Sequence, residues 1–419
     1  MTRPGPLTGY RIVEFATEGG QFTGRMLAGL GAEVIKIEPM GGDPLRGIGP
    51  FYKDQPHPER SLAFWVFNAG KKSITLDAQQ PEGREMAKRL IKTADVFLTC
   101  QQPGLLESLG LDYASLKKEN PSLVMTTITG FGETGPYSSY TWSDIVLMAL
   151  SGVTYLLGEA ERPPVRMGPP QAYLTSNLQA ATGTCFALFH RTRTGAGQRV
   201  DLSIQEAVKF CLNGPGSITS WWTMHKTNVT RTGDRMNFGD YKPLTLAPCK
   251  DGYTANAAIF GNAFPPLLEL MKAENAAEEL VEPKWLDASP FGALPGQWMP
   301  TEEQVHRVEE IFVNWQMKHT KAEIYQMAMK HGLWVYPVNT PSDIVSNHQL
   351  KARGYFVDVE HPAFDRPVTT MGAPFVFSES PWVAEGRPPM LGEHNGEIFD
   401  SVLGLSKAEQ TALRAAGVV

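Results

Sequence analysis

Apolar positions in the first two hundred residues follow two alternating rhythms. Short apolar stretches at Arg11-Ile12-Val13-Glu14-Phe15, at Glu33-Val34-Ile35-Lys36-Ile37-Glu38, at 95–99 and at 123–128 predict strands, and Val200-Asp201-Leu202-Ser203 predicts another. Between them the apolar residues recur at helical spacing. Phe22, Met26, Leu27 and Leu30 share one face of a helix over 22–30. Pro81 suits the first turn of a helix over 81–94. An apolar, Ala-rich helix runs from Leu178 to Arg191. Strand, helix, strand at these lengths predicts parallel βαβ units in an open, twisted sheet.

After about residue 220 the texture changes. Trp221-Trp222, scattered Gly and Pro, and the hairpin-like Cys249-Lys250-Asp251-Gly252-Tyr253 suggest a separate module. It carries helical stretches at 264–271 and 302–318 and a Gly/Pro-containing loop at 291–300. Strand-and-loop texture returns near Trp334-Val335-Tyr336-Pro337-Val338. The expected organisation is a large α/β domain over 1–220, a small domain over 221–330, and a stretch over 331–419 that returns to the large domain.

With 419 residues, 42% hydrophobic and 20% charged, the chain can bury a large core. A net charge of -6 argues against a nucleic-acid binder. No apolar run reaches the length of a membrane span, and Met1-Thr2-Arg3-Pro4-Gly5-Pro6 lacks a signal core, so the expected location is the cytoplasm. Cys100, Cys185, Cys211 and Cys249 are scattered, which predicts reduced thiols. The histidines never pair as HxxxH, so no metal site is expected. The first βα turn, Glu18-Gly19-Gly20-Gln21-Phe22-Thr23-Gly24, imitates a dinucleotide fingerprint, with Glu38 as the acidic ribose ligand. Its glycines do not follow GxGxxG, so a nicotinamide dehydrogenase is only the runner-up among enzyme classes. Glycines that permit close helix–strand packing explain the turn as well.

Other motifs are more specific. Gly31-Ala32-Glu33-Val34-Ile35-Lys36-Ile37-Glu38-Pro39, with Gly42-Asp43 and Arg46, is one. Asn68, Lys71, Lys72, Ser73, Leu76 and Asp77 form a second, and Gly130-Phe131-Gly132 with Gly135-Pro136-Tyr137 a third. Arg191, Thr194-Gly195, Gly197-Gln198 and Val200-Asp201 follow. Pro337-Val338-Asn339, Gln349-Leu350, Arg353-Gly354-Tyr355-Phe356 and Leu391-Gly392-Glu393-His394 close the series. In this order, across nearly the whole chain, they resemble the class III CoA-transferases, the formyl-CoA transferase and carnitine/bile-acid CoA-transferase family. The resemblance implies a Rossmann-like large domain, a smaller inserted domain and an interlocked, ring-like dimer. Some members pair two related but different subunits, a benzylsuccinate CoA-transferase among them.

The position of the nucleophile departs from the pattern. Val165-Arg166-Met167-Gly168-Pro169-Pro170-Gln171-Ala172-Tyr173 resembles the family's P-x-R-x-G-x-P-x-A-Asp, whose Asp is the nucleophile; here it is Tyr173. A carboxylate attacks the thioester, forms a mixed anhydride and then carries CoA as its own thioester. A phenol, with a pKa near ~10, is mostly protonated at neutral pH and would give an aryl ester instead. Tyr173 is either a packed aromatic in a vacated pocket or a hydroxyl that orients a ligand. Asp144 is retained, to orient substrate or to cap the following helix. The racemase branch places His before that Asp and an Asp at position 173; Ser143 and Tyr173 remove both.

The resemblance also implies CoA contacts at Gln21, Lys71, Lys72, Cys100 and Gly104. Cys100 stands where the family has Asn, and Ser108 where a basic residue is common. Lys71 and Lys72 either meet CoA phosphates or belong to a solvated loop. CoA would be a thioester substrate, with no permanently bound cofactor. The expected partner is a homologous, Asp-bearing subunit in a heterodimer or heterotetramer. The alternative is a self-sufficient acyl-CoA lyase, isomerase or hydrolase using Asp144, Glu393 or His394.

Overall fold

The computed structural model describes residues 3–211, 218–235, 242–256, 264–282, 285, 301–383 and 386–419. The chain divides into two compact units, one of residues 1–154, 166–226 and 348–419, the other of 155–165 and 227–347.

The first unit is built on six parallel strands: β1 (Arg11–Phe15), β2 (Glu33–Glu38), β3 (Lys72–Thr75), β4 (Val96–Thr99), β5 (Val124–Thr129) and β6 (Arg199–Ser203). Their order is β3-β2-β1-β4-β5-β6. Ile12 to Phe15 pair with Val96 to Thr99 on one side of β1, and Arg11 to Glu14 with Glu33 to Lys36 on the other. Strand order therefore reverses between β1 and β4. In doubly wound sheets the crevice outside the carboxyl ends at such a switch point takes the ligand. β4 and β5 are buried along their whole length, which explains their near-continuous apolar and Thr sequences.

Each sheet face has its own helical cover. The helix Pro81–Lys92 buries Gly83, Met86, Ala87, Leu90 and Ile91, one stripe at helical spacing, into a core shared with Phe97 and Met125. On the opposite face the helix Gln171–Thr194 presents mostly small residues, including Ala172, Ser176, Ala180, Ala181 and Thr184. Thr184 Oγ1 meets Thr126 Oγ1 at 2.7 Å. This helix begins at Gln171 rather than at Leu178. Its first two turns are polar, but they pack through side-chain bonds: Asn177 Oδ1 accepts from the Thr23 backbone N–H at 2.9 Å and lies 2.9 Å from Thr23 Oγ1. β3 escaped the sequence pattern because only four residues, Lys-Ser-Ile-Thr, form it.

The second unit holds an antiparallel sheet of β7 (Leu246–Cys249), β8 (Gly252–Asn256) and β9 (Val335–Pro337). The hairpin turn falls at Lys250-Asp251. The helices Phe264–Ala273, Glu302–Gln316 and Lys321–His331 bury Leu268, Phe312, Trp315 and Ile324. Thr301 and Gln304 form a capping box at the start of Glu302–Gln316. The loop expected at 291–300 lies outside the described residues. Residues 331–347 belong to this second unit, and the chain rejoins the first at His348. There β10 (Phe356–Val359) pairs with β11 (Val368–Met371), and Phe399 and Val418 complete the core below β3 and β4. Among the described residues no helix is long and apolar enough to cross a membrane.

Candidate functional site

β1 ends at Phe15, and the chain turns through Glu18-Gly19-Gly20 into the helix Gln21–Gly29. β4 ends at Thr99, and Cys100 follows. These two turns flank the switch point. A Cβ on Gly20 would stand 2.7 Å from Cys100 Cβ, and one on Gly19 would stand 2.7 Å from the Trp142 ring. Close packing, not a phosphate cradle, therefore requires these glycines. Burial pushes the Cys100 thiol up to about 12, which keeps it protonated at neutral pH.

Trp142 fills a slot between the β1 turn at Gly19 and Gly130, which follows β5. A Cβ on Gly130 would lie 2.4 Å from Trp142 Cγ. The indole meets the Tyr173 ring edge-on, with centroids 5.9 Å apart and planes at 82°. Tyr173 is 7% exposed and sits in the first turn of the helix Gln171–Thr194. Asn177 Nδ2 ties that turn to the β1 turn, donating to Tyr173 O at 2.7 Å and to Gly19 O at 2.6 Å.

The helix Gln171–Thr194 has Pro170 at its N-cap and no side-chain cap there. Asp144 supplies one from outside. Its Oδ1 accepts the Ala172 N–H at 2.8 Å and the Tyr173 N–H at 3.4 Å. Asp144 thus caps a distant helix, while its own helix, Asp144–Leu150, starts from Ser143 without a side-chain cap.

Tyr173, Asp144 and Glu18 share this crevice with Cys100. Burial raises the Tyr173 phenol above its ordinary value, and Glu18, Cys100 and Asp144 add to the effect, so the phenol stays neutral. Burial also raises Asp144, against the pull of the two N–H groups it accepts. Glu18 is raised by burial, then by Asp144 and Asp43. Sequence reasoning passed over Glu18 and Trp142 as site residues. The available signal for Glu18 was a carboxylate placed just before two glycines at the end of β1.

Gln21 and Lys71 lie beneath the turn in a closed polar network. Gln21 Nε2 donates to Asp43 Oδ2 at 2.6 Å, and Gln21 Oε1 accepts from Asn68 Nδ2 at 2.8 Å. Lys71 Nζ reaches Glu14 Oε1 and Oε2, both at 2.8 Å, Gln21 O at 2.7 Å and Asn68 Oδ1 at 2.9 Å. Its three N–H groups are therefore fully engaged. Burial lowers its pKa to about 8, although Glu14 opposes this. Lys36 joins from β2, 2.9 Å from Asp43.

Lys72 points to the other face of the sheet, because successive residues entering a strand alternate. It pairs with Glu33 at 2.8 Å and Glu397 at 2.5 Å. Burial opposes its charge, but these two carboxylates outweigh burial and raise its pKa. Gly104 is exposed at φ +95° and caps the short helix Leu105–Leu109, its N–H donating to Glu107 at 2.9 Å. Glu393 and His394 are held at β3, two strands from the switch point. Glu393 pairs with Arg387 at 2.7 Å and is held down to about 2 by that partner, while His394 Nδ1 accepts the Ser73 N–H at 3.2 Å. The structure does not bring this pair to Tyr173. Among the described residues no group of three His, Cys, Asp or Glu side chains is placed to hold a metal ion.

The strand order defines a doubly wound α/β protein, and the crevice at its switch point is the candidate site. The chain belongs to CoA-transferase family III, whose family model matches residues 7–395. It is 34% identical over 395 residues to the succinyl-CoA:(R)-benzylsuccinate CoA-transferase subunit BbsE of Thauera aromatica, covering 93% of this chain and 92% of that one. It is 31% identical over 419 residues to the succinyl-CoA–D-citramalate CoA-transferase of Chloroflexus aurantiacus, covering 99% and 98%. A CAIB/BAIF family protein from Brucella suis has the same fold, with a TM-score of 0.80 at 29% identity over 96% of this chain and 100% of that one.

Proposed function

We propose that this chain is the non-nucleophilic subunit of a two-subunit CoA-transferase. The enzyme moves CoA from an acyl-CoA to a free carboxylic acid, and a homologous subunit carries the Asp that forms the anhydride and the enzyme–CoA thioester. Tyr173 carries this reading. At the position where the family pattern has its nucleophile stands a buried phenol, kept neutral by its surroundings and packed against Trp142. Likeness to a protein named as a subunit of a benzylsuccinate CoA-transferase supports both the pairing and a substituted succinic acid as substrate. In this reading Cys100 and Gly104 line the approach of CoA and Gln21 and Lys71 hold the turn beneath it, while Lys72, paired with Glu33 and Glu397 on the other face of the sheet, takes no part. Four free thiols fit a reducing cytoplasm.

Native mass spectrometry of the protein purified from its own cells tests the pairing. A complex of two different chains of similar size is expected. A homodimer that transfers CoA by itself would sink the proposal. Glu18 and Asp144 favour one second reading, a single-chain acyl-CoA lyase, isomerase or hydrolase. That reading requires turnover by the purified chain and its loss in Asp144→Asn.

A further inference from the structure

A cavity opens on the sheet face opposite the helix Gln171–Thr194. Thr126 faces that helix, so alternation along β5 sends Thr127 and Thr129 to the other side. There they line a cavity of about 280 Å³ together with Gln101, Tyr113, Glu133 and Arg199. Thr127 and Thr129 are 2% and 1% exposed, and among the described residues neither hydroxyl has a hydrogen-bond partner. Glu133 Oε2 is buried in the same condition. Arg199 Nη1 approaches that oxygen to 2.9 Å without directing an N–H at it. Thr127 is close enough to ease the ionisation of Glu133, but no hydrogen-bond geometry joins them.

The buried oxygens of Thr127, Thr129 and Glu133 therefore lack donors, although the Arg199 guanidinium and the Gln101 amide also line the cavity. Buried oxygens of this kind are rarely left unpaired. The cavity's charge is predominantly negative, with Arg199 the basic residue in its lining. Glu107 and Asp112 line it while capping backbone N–H groups, and Asp201 lies near Glu133. Burial raises the Glu133 pKa, Asp201 and Glu107 add to this, and Arg199 opposes it. A phosphate or carboxylate would meet like charge here, so this is no place for the phosphates of CoA. A compact cation with N–H donors matches both the acceptors and the charge.

We propose that this cavity binds the ammonium group of a small amine, with Glu133 as counter-ion and Thr127 and Thr129 as acceptors. The site lies on the sheet face opposite the helix that carries Tyr173, beside the turn that follows Cys100, and the proposal goes beyond the transferase reading. Isothermal titration of the full chain with ethanolamine tests it, with ethylene glycol as the neutral counterpart and potassium chloride as a bare monocation. Saturable binding of ethanolamine alone is expected. Glu133→Gln should weaken it at least about tenfold, the scale of a charge-assisted hydrogen bond. Thr129→Val, a nearly isosteric change, should weaken it by a smaller factor and serves if the first variant fails to fold. Absence of ethanolamine binding overturns the proposal, as does equal binding of ethylene glycol. Displacement of ethanolamine by equimolar potassium would make the site one for a bare ion. Undiminished binding in the folded variants would place the amine elsewhere.

Discussion

Asp144→Ala removes the external cap of the helix Gln171–Thr194. Two bonds are lost, a good one to the Ala172 N–H at 2.8 Å and a marginal one to the Tyr173 N–H at 3.4 Å. A hydrogen bond to a charged group contributes about 1.5–3 kcal/mol. Asp144 is only half-buried, so solvent screening holds the first bond near the bottom of that range, and the second adds little. Loss of an N-cap costs about 1 kcal/mol by an independent route. We therefore expect a local loss of about 1.5 kcal/mol, close to a tenfold change in the opening equilibrium. Asp144→Asn keeps the acceptor and loses only the charge at the helix N-terminus, about 0.3–1 kcal/mol. Hydrogen–deuterium exchange of a peptide spanning Ala172 and Tyr173 reads this directly. Exchange should rise about tenfold in Asp144→Ala and no more than about fivefold in Asp144→Asn. Unchanged exchange in Asp144→Ala, or equal effects of the two variants, would refute the capping argument.

Glu14 is fully buried and serves both Lys71 and Lys36, so Glu14→Gln strands buried positive charge. Urea denaturation should show a loss of about 3–5 kcal/mol. Gly130→Ala would drive a Cβ to 2.4 Å from Trp142 Cγ, and the thermal midpoint should fall with a matching change in tryptophan fluorescence. A silent Gly130→Ala would mean that the indole is not wedged there. Burial, helped by Arg387, holds His361 down to about 4 from an ordinary 6.5. The folded state therefore keeps it neutral, and that contribution to stability is complete above about 6.5 and is lost as pH falls towards about 4. The drop in thermal midpoint between pH 7 and pH 4.5 should be smaller in His361→Gln than in the wild type.

Strand positions were legible wherever apolar residues formed a run of their own, as in β1, β2 and β5. β3 was not, because Lys72-Ser73-Ile74-Thr75 carries a single large apolar residue and its identity as a strand comes from pairing with β2. The start of the helix Gln171–Thr194 was hidden for a related reason. Polar Thr175, Ser176 and Asn177 look like a loop, but Asn177 hydrogen-bonds across to Thr23 and Gly19 and anchors this turn of the helix. At the site, the sequence pointed to Tyr173 and Asp144 through pattern alone. It did not reveal that Asp144 caps another helix, because that depends on two turns meeting in space. Lys71 and Lys72 are neighbours in the sequence, and nothing there shows that one is sealed in a network and the other is not.

That split has a bearing on chemical self-protection. CoA thioesters acylate free amines, and only the neutral amine is nucleophilic. Lys71, whose pKa of about 8 leaves an appreciable neutral fraction at physiological pH, is 4% exposed with every N–H engaged. Lys72 is the one within reach of solvent, and Glu33 and Glu397 keep it charged. The reactive amine is inaccessible and the accessible amine is unreactive. A chain from a family that handles activated acyl groups is thereby spared from becoming their acceptor at this paired-lysine motif.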